Sequence, residues 1–195
     1  MKNSPWGKVD SEEPIIEKGI VWIGTPSHGG LKVYKKYNNL IPNYMRNSDG
    51  WYEEDCEWSK VYVVLSDILK NIVTDFDKTY ITAKGIFKNY YPDEYERYFL
   101  TILNPGESRK KDEKLFYKVN KDSLIVTCAW GDWKEGVPKG MVLALAKIGG
   151  RKNYGGTESY WLVPETEYNN DYDREKNKFG FIVDPTKHIE YKGKV

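Results

Sequence analysis

Ile20-Val21-Trp22-Ile23-Gly24-Thr25-Pro26-Ser27-His28-Gly29-Gly30-Leu31-Lys32-Val33-Tyr34 reads as strand, turn, strand. Residues 20–24 are β-branched and aromatic, residues 25–30 hold the proline and glycines of a turn, and residues 31–34 resume the apolar pattern. The spacing predicts a β-hairpin with a six-residue connection, longer than the tightest hairpin loops. On its N-terminal side, residues 1–14 are polar, carry Pro5 and Pro14, and read as an irregular arm anchored by Trp6.

Downstream, residues 51–71 read as one long helix. Asp49-Gly50 precedes it, and Glu53, Glu54, Asp55 and Glu57 fill its first turns, where the helix dipole favours negative charge. Its apolar stripe comprises Trp51, Trp58, Tyr62, Leu65, Leu69 and Ile72. Shorter helices are predicted over 83–90, capped by Thr82, and from Pro92, which suits a first helical position. A third runs from a Ser108 cap to about residue 119. Then the pattern turns to strands at 124–129, 141–147, 160–163 and 179–183, separated by Gly- and Pro-rich turns. Residues 169–178 form a charged loop tip. A hairpin, a helical middle and C-terminal antiparallel strands make the fold class α+β, expected as a single domain over 1–195.

The 195 residues are 39% hydrophobic and 30% charged, enough for a sizeable core and unlike a disordered chain. With 30 basic against 29 acidic residues the formal net charge is +1, so neither a large basic field for nucleic acid nor an acidic mimic of it is present. Cys56 and Cys128 form no CxxC or zinc spacing, and reduced thiols in a cytoplasm are the expectation. No apolar run is long enough to span a bilayer as a helix. Tyr, Trp and Phe number 16, 7 and 6, an excess that suits both a core and a binding face.

Asp55 is the most informative candidate. It falls in the apolar stripe of the predicted helix, where an unpaired charge is costly, so it is expected to be buried and hydrogen-bonded. His28 sits in a glycine-rich turn where backbone can approach a ligand. Ser27, His28 and Asp55 are the residue types of a hydrolytic triad, although adjacent Ser and His usually point apart. Were the chain an enzyme, His28, Asp55, Ser27 and Glu54 would be its catalytic candidates. Consecutive carboxylates splay around a helix, so neither a metal nor a cofactor is expected. The basic turns at 147–152 and 108–111 lack a phosphate-loop pattern.

Together these strings resemble a domain-of-unknown-function family that recurs in bacteriophage and plasmid proteins. The resemblance rests on Ser4-Pro5-Trp6-Gly7, on Thr25-Pro26-Ser27-His28-Gly29-Gly30, and on Gly50-Trp51-Tyr52-Glu53-Glu54-Asp55-Cys56-Glu57-Trp58. Val137-Pro138-Lys139-Gly140 and Phe179-Gly180-Phe181 add to it. It carries no assigned reaction, and residues 74–79 and 169–178 look like additions of this chain. A compact, neutral, aromatic-rich domain of such a phage family without a complete catalytic set fits a counter-defence protein, cytoplasmic in a bacterial host, that binds a host nuclease or another immune effector rather than turning over a substrate. Tyr37, Tyr44, Arg46, Arg151, Lys152, Tyr154 and Tyr172 are its candidate contact residues, since Tyr and Arg dominate binding hot spots. The alternative is a hydrolase or a nucleotide- or nucleic-acid-binding domain centred on His28 and Asp55. Lys32 to Tyr37 interleaves lysines with tyrosines in a way that suits single-strand stacking, but the balanced charge disfavours nucleic acid as partner.

Overall fold

The computed structural model describes residues 3–169 and 177–193 and is mixed α+β. The chain forms two compact units, Met1–Asp112 and Glu113–Val195. In the first, β1 (Asn3–Ser4) and β2 (Gly7–Lys8) make a two-stranded ribbon, with Pro5 and Trp6 at its turn. β3 (Ser11–Ile16), β4 (Ile20–Gly24), β5 (Gly29–Val33) and β6 (Trp51–Glu53) form an antiparallel sheet in that order. The N-terminal arm is thus not irregular. β3 is a polar edge strand, where Pro14 is tolerated because an edge leaves amides unpaired. Gly24 pairs with Gly29, so the predicted hairpin exists with a four-residue loop, 25–28.

α1 (Lys35–Asn38) leads into the excursion that returns at β6. Residues 51–71 are not one helix. Trp51, Tyr52 and Glu53 pair with Lys32, Leu31 and Gly30, and only Tyr52 of the three is buried, the period-2 pattern of a strand. Helix begins at α2 (Trp58–Val64) and breaks at Leu65 (φ −95°, ψ 20°) before α3 (Ser66–Leu69). α4 (Phe76–Tyr90) starts earlier than predicted and absorbs residues 76–79, so Thr82 is an interior residue that donates to the Lys78 carbonyl at 3.1 Å rather than a cap. α5 (Pro92–Phe99) has Pro92 at its first turn as expected, and α6 (Arg109–Val119) follows Ser108. One face of the sheet buries Ile20, Leu31, Val33 and Tyr52 in a cluster with Val61 of α2, Leu65 at the break, Leu69 of α3, and Phe87 and Tyr95 of α4 and α5.

In the second unit β7 (Leu124–Trp130), β8 (Met141–Ile148), β9 (Glu158–Pro164), β10 (Ile182–Val183) and β11 (Ile189–Tyr191) form an antiparallel sheet ordered β10-β7-β8-β9-β11. The predicted strands are present, the last shortened to two residues, and β11 is an addition. α7 (Glu165–Tyr168) follows β9. β8 is buried on both faces: Ala144 and Ala146 pack with Trp161, Val163 and Phe181, while Leu143 packs with Val137 and Leu162. Among the described residues, no helix is long and apolar enough to cross a membrane.

Candidate functional site

The pairing of β5 with β6 decides what stands beside His28. Thr25 closes the hairpin loop: its N–H and hydroxyl donate to the His28 carbonyl at 2.8 and 2.7 Å, and the His28 N–H donates to Thr25 Oγ1 at 3.1 Å. The Glu54 N–H donates to the Gly29 carbonyl at 3.0 Å, carrying the ladder one residue past β6. Glu53 and Glu54 therefore flank the imidazole. Nε2 of His28 lies 3.0 Å from Glu53 Oε1, and Nδ1 lies 3.0 Å from Glu54 Oε1. The glycines of the turn make room for this. A Cβ on Gly29 would lie 2.7 Å from Glu54 Oε2, and one on Gly30 would lie 2.4 Å from the Trp6 ring and 2.3 Å from the Tyr52 carbonyl.

Asp55 is exposed in the turn between β6 and α2, not buried in a helix stripe. The four- and three-residue steps from Trp51 to Trp58 span a strand and a turn, so they never described one helical face. Asp55 nonetheless reaches the histidine: His28, Glu53 and Asp55 each offer a ligand atom, all within 4.8 Å of one another. Ser27 is exposed at the loop tip. Both His28 nitrogens face carboxylates, so neither is directed at the Ser27 hydroxyl and the triad reading fails.

Glu53 also shapes the turn. Its Oε1 accepts the Asp55 N–H at 2.7 Å and its Oε2 the Cys56 N–H at 3.3 Å, while Glu57 Oε2 accepts the Glu53 N–H at 3.2 Å and an Asn47 amide hydrogen at 2.9 Å. These reciprocal bonds resemble a capping box and hold both carboxylates in place at the approach to α2. Behind them the buried Tyr52 hydroxyl donates to Asn38 Oδ1 at 2.7 Å and accepts the Asn47 N–H at 3.1 Å. Burial pushes its phenol up to about 12. Beside Glu53 a cleft of about 470 Å³ is lined by Trp6, Trp51, Arg46 and Asp49 among others. Trp6 meets His28 and Trp51 edge-on, with ring centroids 6.0 and 5.5 Å apart.

The arrangement has the parts of a divalent-cation site. Ligand bonds of roughly 2.0–2.2 Å put neighbouring ligands on one tetrahedral ion about 3.4 Å apart. The 4.8 Å cluster needs only a small contraction to meet that. Glu54 on Nδ1 supplies the outer carboxylate that commonly fixes the tautomer of a metal-binding histidine and frees its other nitrogen. The reason for expecting no metal, carboxylates splayed around a helix, does not apply to a strand and a turn facing a second loop.

A family model described as Domain of unknown function (DUF7007) matches residues 1–121. The chain belongs to that family. No curated protein and no solved structure matches it. The DUF7007 match takes in every residue of the His28 cluster and the whole first unit.

The proposed contact residues of this DUF7007 protein are scattered. Tyr37 and Tyr44 are half-buried against the core of the first unit, with the Arg97 guanidinium 3.9 Å from the Tyr44 ring centroid. Arg46 donates from Nε to the Ile41 carbonyl at 2.9 Å. In the second unit Arg151 donates to the Thr127 carbonyl at 2.8 Å, Lys152 pairs with Glu113 at 3.3 Å, and Tyr154 is 93% exposed. Tyr172 lies outside the described residues. Sequence reasoning missed Glu53 as a partner of His28 and missed Trp6 and Trp51 as walls of its cleft. Gly50 followed by an alternating Trp-Tyr-Glu was the available sign of a strand.

Proposed function

We propose that the first unit is a divalent-cation site of the hydrolytic class. His28, Glu53 and Asp55 hold the ion, and Glu54 orients the imidazole. The observation that carries this reading is the convergence of one imidazole and two carboxylates from two separate segments, the 25–28 loop and the 53–55 turn. Three protein ligands leave a coordination position for water, which a bound cation acidifies and turns into a nucleophile. The adjoining cleft, with Trp6, Trp51 and Arg46 in its walls, gives a substrate somewhere to sit.

The test is thermal unfolding of EDTA-stripped protein with and without Zn²⁺ or Mn²⁺. At a hundredfold excess over its dissociation constant, a bound ion adds about 2.7 kcal/mol to stability and raises the melting temperature by several degrees. Asp55→Asn is expected to leave the stability of the metal-free protein within about 0.5 kcal/mol, because the side chain is exposed. It should abolish most of the cation-induced rise. A buried structural role for Asp55 would instead cost several kcal/mol without any metal.

A second reading is a phage-type counter-defence protein that binds a host nuclease or another immune effector in the bacterial cytoplasm. It is favoured by the exposed apolar side chains Leu100 and Ile102 in the first unit, 92% and 80% exposed. The same melts separate the two. A protein that only binds a partner needs no ion, and wild type and Asp55→Asn would then respond alike.

A further inference from the structure

A second cavity of the first unit, of about 520 Å³, opens where β5 ends and the chain enters its 35–49 excursion. That volume falls within the roughly 300–1,000 Å³ typical of small-ligand sites. Its lining carries three cations, Lys32, Lys35 and Arg46, against one carboxylate, Asp49. Two of the cations are held in place by the fold. Lys32 Nζ donates to the Asp49 carbonyl at 2.6 Å and stands 4.6 Å from the Trp51 ring centroid. Arg46 is fixed through Nε to the Ile41 carbonyl at 2.9 Å, while its two terminal nitrogens make only long contacts of 3.3 and 3.4 Å to Asn39. An ammonium has three donors and a guanidinium five, so both keep hydrogen-bonding capacity for a ligand. Lys35 is exposed at the rim, and Tyr34, 39% exposed, offers a ring at the same mouth. The cavity shares Arg46, Ser48 and Asp49 with the cleft beside Glu53, so the two adjoin at these residues.

We infer that this cavity takes the polyphosphate of a nucleoside polyphosphate, with Lys32, Lys35 and Arg46 binding phosphate and Tyr34 stacking on the nucleoside. The inference deepens the cation-site reading by naming its substrate class, since the cavity adjoins the cleft that Glu53 lines. Fixed cations outnumbering acids concentrate an anionic ligand, and a planar guanidinium matches phosphate oxygens two at a time. An aromatic face at the mouth distinguishes a nucleotide from bare phosphate.

The test is isothermal titration of the full chain with ATP and with inorganic pyrophosphate, both in EDTA so that no cation contributes. ATP is expected to bind saturably and more tightly than pyrophosphate. Lys35→Glu, a rim change that removes no internal hydrogen bond, should weaken ATP binding at least about tenfold, the scale of a reversed charge near phosphate. Lys36→Glu, whose ammonium stands over the Tyr37 ring instead of lining the cavity, should leave it within about twofold. No saturable ATP binding up to about 1 mM, a limit near −4 kcal/mol, would overturn the inference. Equal binding of ATP and pyrophosphate would overturn its nucleoside part, and equal losses in the two lysine variants would overturn its location. Because EDTA is present throughout, ATP binding in a protein that takes up no cation would sustain this inference while removing the cation site. The opposite pair of results would do the reverse.

Discussion

Tyr52→Phe is expected to lower the stability of the first unit by about 2–4 kcal/mol at neutral pH, one of the largest losses available from removing a single atom. The hydroxyl is fully buried and serves both Asn38 Oδ1 and the Asn47 N–H. Phenylalanine fills the same space but leaves a buried acceptor and an amide without their partner, at about 1–3 kcal/mol each. The loss should also depend on pH. The phenol is pushed up to about 12 in the folded chain from its ordinary value of 10.0, chiefly by burial. Between those values the unfolded chain has released the proton and the folded chain still holds it. The stabilisation is therefore complete below pH 10 and is lost as pH rises towards 12, by about 2–3 kcal/mol for this group. Burial also raises Tyr62, Tyr95 and Tyr98, so alkaline weakening persists in Tyr52→Phe but with a shallower slope. Urea titrations at pH 8 and pH 11 measure both effects. A Phe variant as stable as the wild type would mean that the hydroxyl does not organise the turn.

Gly50→Ala is expected to cost about 2–5 kcal/mol. Gly50 has φ +74°, and a Cβ there would lie 2.2 Å from the Val33 carbonyl oxygen. A left-handed conformation costs an L-residue about 1–2 kcal/mol, and the clash is with backbone, so the end of β5 must move, adding about 1–3. The same residue accepts the Val33 N–H at 2.7 Å and closes the excursion between β5 and β6. Displacing it should loosen the pairing that brings Glu53 beside His28, so cation uptake should weaken along with the melting temperature. Stability lost with cation affinity unchanged would separate the site from this strand.

How far the sequence carried the fold can be read at three places. Ile20–Gly24 and Leu31–Val33 are largely apolar runs on either side of a Pro- and Gly-rich turn, so the hairpin was legible. β3 was not, because Ser11-Glu12-Glu13-Pro14 is an exposed edge with no apolar period to detect. β6 is three residues long, too short to declare a period, and its Trp51 falls in helical step with Trp58 and Tyr62 by coincidence. That one misreading moved Asp55 from a surface turn into an imagined buried stripe. It also hid the candidate site, whose components were all singled out. His28, Glu54 and Asp55 were candidates and Glu53 stood among the acids, but their convergence depends on β5–β6 pairing, a non-local contact that no local pattern encodes.

The most direct test of the cation site is the visible absorption spectrum of EDTA-stripped protein titrated with Co²⁺, because the d–d bands report on the nitrogen and oxygen atoms bound to the ion. One equivalent of Co²⁺ should produce bands distinct from the aqueous ion in the wild type. Those bands should be absent in a folded His28→Ala protein and altered in Asp55→Asn. A wild-type spectrum indistinguishable from free Co²⁺, or bands that survive unchanged in His28→Ala, would contradict the assignment of His28, Glu53 and Asp55 as the metal ligands.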